Sequence, residues 1–596
     1  MMNNLNIRNF SIIAHIDHGK STLADRFIEI CKKLKKNEIR EQMLDSMDIE
    51  REKGITIKAQ CLTLSYNLNG NIYTLNLIDT PGHTDFSYEV SRSLEACEGA
   101  ILLVDISKGV QAQTLSNYYK ALEKNLELIL VMNKVDILIP NVEKIKNSIS
   151  NVFKKYDFLE ISAKTGYGVN QLIEKIITNI PPPGGSNSNI LEALIIDSWF
   201  DNYLGVICIV KVKNGFLEKN NQVLMVSNNK VYKIDKLGIF IPEKFYKNSL
   251  YSGEIGFIVL GCKNLNEINV GDTITSYPNK LNKEFIKIKK AQPKIFANIF
   301  PLSPEKFFNL RENLSKLSLN DSSLEFIQQK SSIFGFGFKC GFLGLLHLDI
   351  TKERLEREYD TKIIITPPNV VFKVIFKDKT EKYISSPSEI IDINKLEVQE
   401  PIVLLTIFTS YEYIGKVTQL CEKKRGVQKE IIYDKDKIII VYYIPMSEVI
   451  FNFFNELQTL THGLSSMDYS FYKYQKTDVV KLNILVNDKK IDILEFIVYR
   501  DEAYKKGKEL VDKLKNIIPS QLFEIRIQAS LDNRIIARAN VRALRKNVLD
   551  KCYGGDISRK KKLLKKQKIG KKRLKNSGDV KLPMDIFTKI IDIKKD

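Results

Sequence analysis

The sequence predicts a multidomain α/β protein, with an α/β domain first, an all-β domain next and α+β domains after them. A chain of 596 residues is too long for one hydrophobic core and predicts four or five domains. It begins with a buried strand, a glycine-containing loop and an amphipathic helix, the start of an α/β fold. Beyond a proline- and glycine-rich linker at residues 181–185, short alternating strands over residues 204–260 predict a β-barrel.

The charge of the chain favours an anionic partner. Lysine and arginine total 91 against 71 acidic residues, which gives a net charge of +20. Such a surplus favours binding to nucleic acid or to an anionic membrane surface. The eight cysteines have neither disulfide nor metal-ligand spacing, and no stretch has the character of a signal peptide or a membrane span. We therefore expect a cytoplasmic protein with reduced thiols.

The loop after the first strand has the composition of a phosphate-binding loop. It reads Ala14-His-Ile-Asp-His-Gly-Lys-Ser-Thr22 and leads into a helix, so that backbone N–H groups converge on a phosphate. Lys20 would supply charge to the β- and γ-phosphate oxygens, and the Ser21 hydroxyl would bind Mg²⁺. For the rings of His15 and His18, loop packing is the favoured role. The predicted nucleotide contacts of this loop are Asp17, His18, Gly19, Lys20, Ser21 and Thr22.

Two further segments predict how the γ-phosphate is sensed. Asp79 ends a buried strand and precedes Thr-Pro-Gly-His, in which Gly82 would donate its N–H to the γ-phosphate. Thr56, in Arg-Glu-Lys-Gly-Ile-Thr-Ile, would complete the Mg²⁺ shell only when the γ-phosphate is present. His83 is the predicted catalytic residue, which orients the attacking water. The predicted metal ligands are Ser21, Thr56 and, through water, Asp79.

Two later loops predict which base is bound. The Asp136 carboxylate can accept hydrogen bonds from N1–H and the 2-amino group of guanine, donors that adenine lacks, and Lys134 would cover the face of the base. After another strand, a backbone N–H would reach guanine O6. The predicted residues are Asn133, Lys134, Val135 and Asp136 in the first loop and Ser162, Ala163 and Lys164 in the second. Four motifs in this order predict a P-loop GTPase that uses GTP and Mg²⁺, with catalysis by positioning and charge stabilisation.

The hydrolytic step is expected to depend on a partner. The sequence offers no candidate for an arginine supplied within the chain, which predicts slow intrinsic turnover. Ile16 and Ile55 would form an apolar gate that keeps His83 away from the water until a partner rearranges the site. Truncating either isoleucine should then raise partner-free hydrolysis.

These motifs resemble those of translational GTPases, in which a histidine follows the glycine of Asp-Thr-Pro-Gly. The longer run Asp79-Thr-Pro-Gly-His-Thr-Asp-Phe-Ser-Tyr-Glu-Val-Ser-Arg-Ser-Leu-Glu-Ala-Cys-Glu-Gly is similar to the LepA (elongation factor 4) family. The resemblance implies a P-loop GTPase domain, a β-barrel domain, two ferredoxin-like α+β domains like those of elongation factor G, and a basic α+β C-terminal domain. The expected limits are residues 1–183, 188–282, 290–366, 398–480 and 481–596.

Two features separate the chain from elongation factor G. Residues 367–401 are too few to hold the extra domain that this translocase inserts between its ferredoxin-like domains. The segment 542–568 is, by resemblance, the part most specific to LepA. The chain departs from the family at His462, where arginine is commoner, at Leu464, where an aromatic residue is commoner, and at Leu531-Asp-Asn, which replaces smaller residues. These departures bear on ribosome contact.

The C-terminal region carries a basic run. Residues 559–575 include eleven lysines and arginines and no acid, and residues 560–567 favour a helix. Several lysines together give strong, sequence-independent affinity for phosphates. Leu563 and Leu564 make only a small apolar patch, so attachment to an anionic membrane, the rival interpretation, would be peripheral. The predicted contacts with ribosomal RNA and tRNA are Arg559, Lys560, Lys561, Lys562, Lys565, Lys566, Lys568, Lys571, Lys572 and Arg573.

The resemblance also implies a function. It is that of a monomeric, ribosome-dependent GTPase of translation elongation, a fidelity factor that moves tRNAs back by one codon on improperly translocated ribosomes. The alternative is a GTP-dependent factor of ribosome assembly or initiation, in which hydrolysis times release. A third interpretation, a protein of anionic membranes, predicts no GTP-dependent ribosome binding.

Overall fold

The expected multidomain α/β class is confirmed by a computed structural model. Within the residues that the structure describes, the chain forms five sheets of five or more strands and one two-stranded ribbon. The described residues are 4–32, 44, 47–82, 84–137, 142–153, 157–186, 190–201, 203–241, 243–262, 268–278, 293–321, 323–331, 334–366, 368–376, 378–385, 387, 397–434, 437–462, 465–491, 494–531, 534–544 and 557–577.

The first sheet has six strands and helices on both faces. Successive residues of its first strand, Ile12 and Ile13, lie in two separate hydrophobic cores, as expected for a sheet that is covered on both sides. Its elements are β1 (Ile7–Ala14), α1 (Lys20–Lys32), α2 (Asp48–Lys53), β2 (Gln60–Leu68), β3 (Asn71–Asp79), α3 (Ser87–Leu94), β4 (Gly99–Asp105), α4 (Ala112–Glu123), β5 (Glu127–Asn133), α5 (Val142–Val152), β6 (Phe158–Glu160) and α6 (Val169–Asn179).

The topology of this sheet gathers the predicted motifs at one edge. The strand order is β2-β3-β1-β4-β5-β6, and every pairing is parallel except that between β2 and β3. Loops that follow the carboxyl ends of parallel strands lie side by side, and that edge is where ligands bind in such folds. The loops after β1, β3, β5 and β6 carry the four predicted nucleotide motifs.

The second unit is a closed barrel, as predicted. Its seven-stranded sheet runs β10-β15-β7-β8-β14-β11-β12, and an additional pairing of β10 with β11 closes the ring. Antiparallel closure leaves few unpaired strand edges. The strands are β7 (Glu192–Asp201), β8 (Gly205–Asn214), β9 (Phe216–Glu218), β10 (Gln222–Met225), β11 (Val231–Ile241), β12 (Glu243–Lys247), β13 (Ser249–Tyr251), β14 (Ile255–Leu260) and β15 (Thr273–Ser276).

A first α+β unit follows the barrel. Its elements succeed one another as βαββαβ, and its strands lie in the order β17-β18-β16-β19, the ferredoxin-like arrangement. The elements are β16 (Ile295–Pro301), α7 (Phe307–Asn320), β17 (Glu325–Ser331), β18 (Gly335–Phe342), α8 (Leu345–Arg357), β19 (Ile363–Ile365) and the short β20 (Asn369–Val370), which pairs with β16.

A second α+β unit has the same core arrangement, β24-β25-β23-β26. Two strands from the connection extend its sheet, because β21 pairs with β23 and β22 pairs with β21, so this sheet starts at Phe372. The elements are β21 (Phe372–Ile375), β22 (Glu381–Ile384), β23 (Glu397–Thr409), α9 (Ile414–Lys423), β24 (Val427–Asp434), β25 (Lys437–Pro445), α10 (Met446–Glu448), α11 (Phe454–Leu460) and β26 (Ser466–Lys476).

The last sheet lies in the order β28-β27-β30-β31, with β29 beside β27, and α12 packs on it. The basic helix α13 is longer than the sequence predicted. None of the helices in the described ranges has both the length and the apolar character needed to span a bilayer. The elements are β27 (Val479–Val486), β28 (Lys489–Lys490), β29 (Phe496–Tyr499), α12 (Ala503–Ile517), β30 (Ile525–Leu531), β31 (Arg534–Val541) and α13 (Ile557–Ser577).

Short helical turns complete the described structure. They are the 3-10 turns Asn4–Asn6, Thr84–Phe86, Pro304–Lys306, Tyr411–Tyr413 and Arg500–Glu502, and the π turn Val449–Phe453.

Candidate functional site

The predicted phosphate and metal residues meet at the end of β1 and β3. The Lys20 ammonium donates to the Asp79 carboxylate at 2.7 Å and to the Thr56 hydroxyl at 2.6 Å. The Thr56 hydroxyl in turn lies 3.4 Å from the second Asp79 oxygen. All three side chains are buried. Residues that are far apart in the sequence thus form one charged cluster at the start of α1.

The donor set of this cluster suits Mg²⁺. Hydroxyl and carboxylate oxygens are the protein ligands that this hard cation prefers, and it keeps several waters besides. Ser21 lies beside Lys20 at the N-terminus of α1, where helix geometry also favours a phosphate. Ser21 and Thr56 would hold the ion directly, and Asp79 through water.

Gly19 is needed where the phosphate-binding loop passes the base-recognition loop. Its φ of +93° lies in the left-handed region, and a Cβ atom there would stand 2.5 Å from the Asn133 side-chain nitrogen. The Asn133 side-chain NH₂ group donates to the His18 carbonyl at 2.8 Å, and its side-chain oxygen accepts the Ala163 N–H at 2.9 Å. A single amide therefore ties three of the four predicted loops together.

His18 belongs to the framework of the loop. Burial lowers the pKa of its ring to about 4, although the nearby Asp105 opposes this shift, so the ring is neutral at physiological pH. Its Nε2 atom lies 3.1 Å from Gln111 Oε1, and its Nδ1 atom lies 3.3 Å from the Leu103 carbonyl oxygen and 3.2 Å from the Asp105 backbone nitrogen. The favoured packing role of this ring therefore has a geometric basis.

Among the predicted base-recognition residues of the loop after β5, Lys134, Val135 and Asp136 are more exposed than the buried Asn133. Lys134 has a left-handed φ of 67°, and its ammonium binds the Asp17 carbonyl at 2.7 Å and the Asp105 carboxylate at 2.7 Å. Val135 follows it and is half-buried, and the Asp136 carboxylate is exposed. Lys134 is thereby fixed beside the phosphate-binding loop, with Asp136 open to a ligand.

The last loop is held by a residue of α1. Ser162 is buried and accepts the Thr165 N–H at 3.1 Å. The Arg26 guanidinium donates to the carbonyls of Ala163 at 2.8 Å and Lys164 at 2.6 Å. Because these carbonyls are engaged, the backbone N–H groups of the loop keep a fixed direction. Thr22, the remaining contact predicted in α1, is exposed.

The predicted apolar gate forms part of a larger cluster. Ile16 and Ile55 both pack in a hydrophobic group that includes Ile57, Phe86 and Ile350, the last contributed by α8. The predicted catalytic residue His83 lies outside the described residues, as do Leu464, Asp532 and Asn533. Gly82 is described, and a Cβ atom on it would lie 3.3 Å from the Ala14 carbonyl, so the loop after β3 runs close against the phosphate-binding loop.

Asp85 connects the loop after β3 to the two α+β units. Its carboxylate accepts the Leu346 N–H at 3.0 Å, at the N-terminus of α8, where a negative charge is favoured. The Tyr469 hydroxyl of β26 lies 3.5 Å from its other oxygen. A Cβ atom on Gly344 would overlap the Asp85 carboxylate, so the approach depends on glycine.

The segment that carries Thr56, residues 47–58, also contacts α8. Lys53 pairs with Glu353 at 2.7 Å, and Glu52 pairs with Arg357 at 2.7 Å. These exposed or half-exposed ion pairs contribute little stability each, but they lie beside the buried contacts of Ile350. Helix α8 therefore touches both segments that are predicted to sense the γ-phosphate.

A second charged cluster joins the same region to the barrel. Arg92 of α3 donates to Asp197 of β7 at 2.8 Å, and Lys58 lies 3.6 Å from the same carboxylate and over the Trp199 ring. Burial raises the pKa of Glu89, one turn from Arg92, to about 8, although Arg92 opposes the shift. The Glu89 residue is half-buried, but its Oε2 atom has no access to solvent.

Sequence reasoning missed three residues of this site. Asp105 fixes Lys134, Asp85 reaches α8, and Glu50 is buried beside Thr56. Glu50 alone had a local signal, because it is the third residue of a short helix, where glutamate commonly caps the N-terminus. The partners of the other two are too distant in the sequence to be recognised.

The predicted polyanion contacts lie on α13. Most of their side chains that the structure describes are exposed, and Lys560 is half-exposed. Leu563 and Leu564 are half-buried. Lys571, Lys572 and Arg573 are on the same helix, and their side chains fall outside the described structure.

Three parts of the chain match known families. Residues 5–182 match the elongation factor Tu GTP binding domain, residues 397–485 match the elongation factor G C-terminus, and residues 486–592 match the C-terminus of the GTP-binding protein LepA. A crystal structure of a protein from Thermus thermophilus is similar with a TM-score of 0.57 and 15% sequence identity, over 79% of this chain and 97% of that chain. At this identity the structural likeness shows the fold alone.

Proposed function

We propose that this protein moves tRNAs back by one codon on improperly translocated ribosomes. The chain belongs to the LepA-type translational GTPases, which hydrolyse GTP and act on the ribosome. The contact of Lys20 with both Thr56 and Asp79 is the observation that supports a γ-phosphate-sensing site in this chain. The C-terminal match over residues 486–592 supports the LepA type of function.

The proposed chemistry is transfer of the γ-phosphoryl group to water. Lys20 and the N-terminal N–H groups of α1 would neutralise the phosphates, and the Gly82 N–H would bind the γ-phosphate. Ser21, Thr56 and Asp79 would hold Mg²⁺, which would neutralise part of the phosphate charge. Asp136 would select guanine.

His83 is proposed to orient the attacking water. The Asp85 contact with α8, two residues further along, offers a route by which ribosome binding at the α+β units reaches His83. The cluster of Ile16 and Ile55 with Ile350 would keep water positioning incomplete until that contact changes.

The first experiment measures GTP turnover with and without ribosomes, for the parent and for His83→Ala. We expect ribosomes to stimulate the parent and the substitution to remove about 100-fold or more of that stimulation, the range typical of a positioned proton-transfer group. GDP affinity should be equal in both proteins, because His83 is proposed to act only on the water that attacks the γ-phosphate. Equal stimulation of both proteins would contradict the assigned role of His83.

The step on the ribosome needs a separate assay. Ribosomes with tRNAs in the post-translocation state are mixed with the protein and GTP, and the codon position is read in a single turnover. Movement back by one codon is the expected result.

The alternative is a factor of ribosome assembly or initiation in which hydrolysis times release. Unmoved tRNAs together with accumulation of subunit precursors in cells that lack the protein would favour this alternative.

The basic helix α13 is proposed to contact ribosomal RNA and tRNA. Its exposed lysines and arginine give the charge density that phosphate binding requires. Peripheral binding to an anionic membrane is the competing proposal, tested with vesicles that contain phosphatidylserine. Retention on such vesicles at physiological salt, without GTP-dependent binding to ribosomes, would replace the RNA proposal.

The expected domain limits and a monomeric state also remain proposals. Limited proteolysis between residues 183 and 188 and between residues 282 and 290 would test two of the limits, and light scattering would test the mass of the free protein.

A further inference from the structure

Glu50 is a buried acid in the segment that carries Thr56. It is the third residue of α2, and its side chain is 0% exposed. Acidic side chains are almost never fully buried without partners, because removing a carboxylate from water is costly. The partners of Glu50 therefore indicate what its burial achieves.

The Glu50 carboxylate binds the backbone on both sides of the segment. Its Oε2 atom accepts the Met47 N–H at 3.0 Å, at the start of α2. Its Oε1 atom accepts the Ile57 N–H at 2.9 Å and the Lys58 N–H at 3.2 Å, beyond the end of the helix. A helix cap would explain only the bond to Met47. The two bonds of Oε1 join α2 to the residues that follow Thr56.

The main chain of Glu50 adds a third tie. Its carbonyl oxygen accepts the Ile55 N–H at 3.1 Å and also the N–H of Gly54, which has a left-handed φ of 63°. Thr56 therefore lies between two residues, Ile55 and Ile57, whose N–H groups both end on Glu50. Its hydroxyl is the one that reaches Lys20.

We infer that Glu50 is a positioning residue, which holds Thr56 where its hydroxyl can complete the γ-phosphate and Mg²⁺ site. The inference rests on the proposed function, because it assumes that Thr56 has the role proposed for it there. Glu50 is proposed to act through the backbone of this segment and not as a ligand of nucleotide or metal. Hydrogen bonds to a charged acceptor are stronger than neutral ones, so three of them fix the segment more firmly than the helix alone would.

The test compares two nucleotides on the full chain. Affinities for GDP and for a non-hydrolysable GTP analogue are measured with Mg²⁺ for the parent, Glu50→Gln and Glu50→Ala. Thr56 matters only when a γ-phosphate is present, so Glu50→Ala should weaken analogue binding about 10-fold or more and leave GDP binding within about 2-fold. Glu50→Gln should be intermediate, because its amide oxygen can still accept from Ile57 and Lys58 while its NH₂ group opposes the Met47 N–H.

Glu52→Ala is the matched control. Glu52 is on the same short helix, but its side chain is exposed and pairs with Arg357. Its loss should change neither affinity by more than about 2-fold, as expected for an exposed ion pair. Thermal melting of each variant with GDP shows whether the fold is retained.

The outcomes separate the inference from the function on which it rests. If the parent itself fails to bind the analogue, the proposed γ-phosphate site is wrong. If the parent and Glu50→Ala bind the analogue equally well, the role inferred for Glu50 is wrong, but the proposed γ-phosphate site is not contradicted. Equal weakening of GDP and analogue would also overturn the inference, because it would show that Glu50 only supports the fold. Should Glu50→Ala not fold, the ratio of the two affinities in Glu50→Gln decides in the same way.

Discussion

At the scale of single residues, Asp136 is proposed to select the base. Its carboxylate is exposed at the edge of the sheet, next to a Lys134 side chain that two oxygens hold in place. A carboxylate accepts two N–H bonds from guanine, whereas an asparagine amide can donate one bond and accept one. Xanthine has a carbonyl in place of the guanine amino group and therefore suits asparagine.

Asp136→Asn should therefore lower GTP affinity about 100-fold and raise the affinity for xanthosine triphosphate, as expected when hydrogen bonds to a charged acceptor are lost. Competition binding with both nucleotides measures this. Asp157→Asn is the control, because Asp157 is exposed at the opposite edge of the sheet, before β6. Retained preference for GTP in Asp136→Asn would refute the assignment.

A second residue, Glu89, makes stability depend on pH. Its pKa of about 8 in the folded chain exceeds the ordinary value of 4.5, chiefly because of burial. Between these two values the folded chain holds a proton that the unfolded chain has released. Stability from this group is therefore complete below pH 4.5 and is lost as the pH rises through about 8.

Glu89→Gln should remove this dependence, because glutamine is neutral throughout. Relative to the variant, the parent should lose up to about 1.4 kcal/mol of unfolding free energy per pH unit over that window. Denaturant unfolding at several pH values measures the difference. Glu123→Gln, at an exposed position of α4, should show no such trend. Parallel curves for the parent and Glu89→Gln would contradict the burial of the neutral acid.

At the scale of elements, α8 connects the predicted γ-phosphate-sensing segments to the first α+β unit, of which it is a part. Its N-terminus binds Asp85, its middle packs on Ile55 and Ile57 through Ile350, and its C-terminal turn pairs with the segment of Thr56. An element that contacts both segments predicted to sense the γ-phosphate would respond when hydrolysis changes the position of either segment.

Gly344→Ala should disturb this contact, since the new Cβ atom would overlap the Asp85 carboxylate. Overpacking typically costs about 1–3 kcal/mol, so ribosome-stimulated GTP hydrolysis should fall about 10-fold or more. GDP affinity should not change, because the loop that precedes Asp85 is predicted to meet the γ-phosphate, which GDP lacks. Gly415→Ala in α9 is a matched control, with no neighbour within 4 Å of the added Cβ. Equal hydrolysis by the two variants would show that the contact does not transmit ribosome binding.

At the scale of the whole molecule, charge is concentrated at the C-terminal region. Replacing Lys561, Lys562, Lys565 and Lys566 by glutamine removes four exposed charges from α13. If each binds a phosphate, the slope of log affinity against log salt for ribosome binding should fall by about 3. The control replaces Lys505, Lys508, Lys513 and Lys515, four exposed lysines of α12. An unchanged slope in the α13 variant would remove this helix from the contact.

The sequence alone determined the nucleotide motifs, their order and the fold class. This was possible because a phosphate-binding loop such as the one that contains Gly19 and Lys20 is local, and because strand and helix periodicity is local too. The barrel was predictable for the same reason, whereas the ferredoxin-like units were implied by the resemblance to elongation factor G. The length of α13 was not predicted. The strands β21 and β22 were not predicted either, since strand pairing depends on a partner elsewhere in the chain.

Only the tertiary structure decided which distant residues contact the predicted site. Asp85 and α8 are more than two hundred residues apart, and their contact cannot be inferred from either segment. Glu50 could be recognised as a helix cap, but its bonds to Ile57 and Lys58 exist only when the Thr56 segment folds back. A carboxylate can be buried only where donors converge on it, and that convergence is a property of the folded chain.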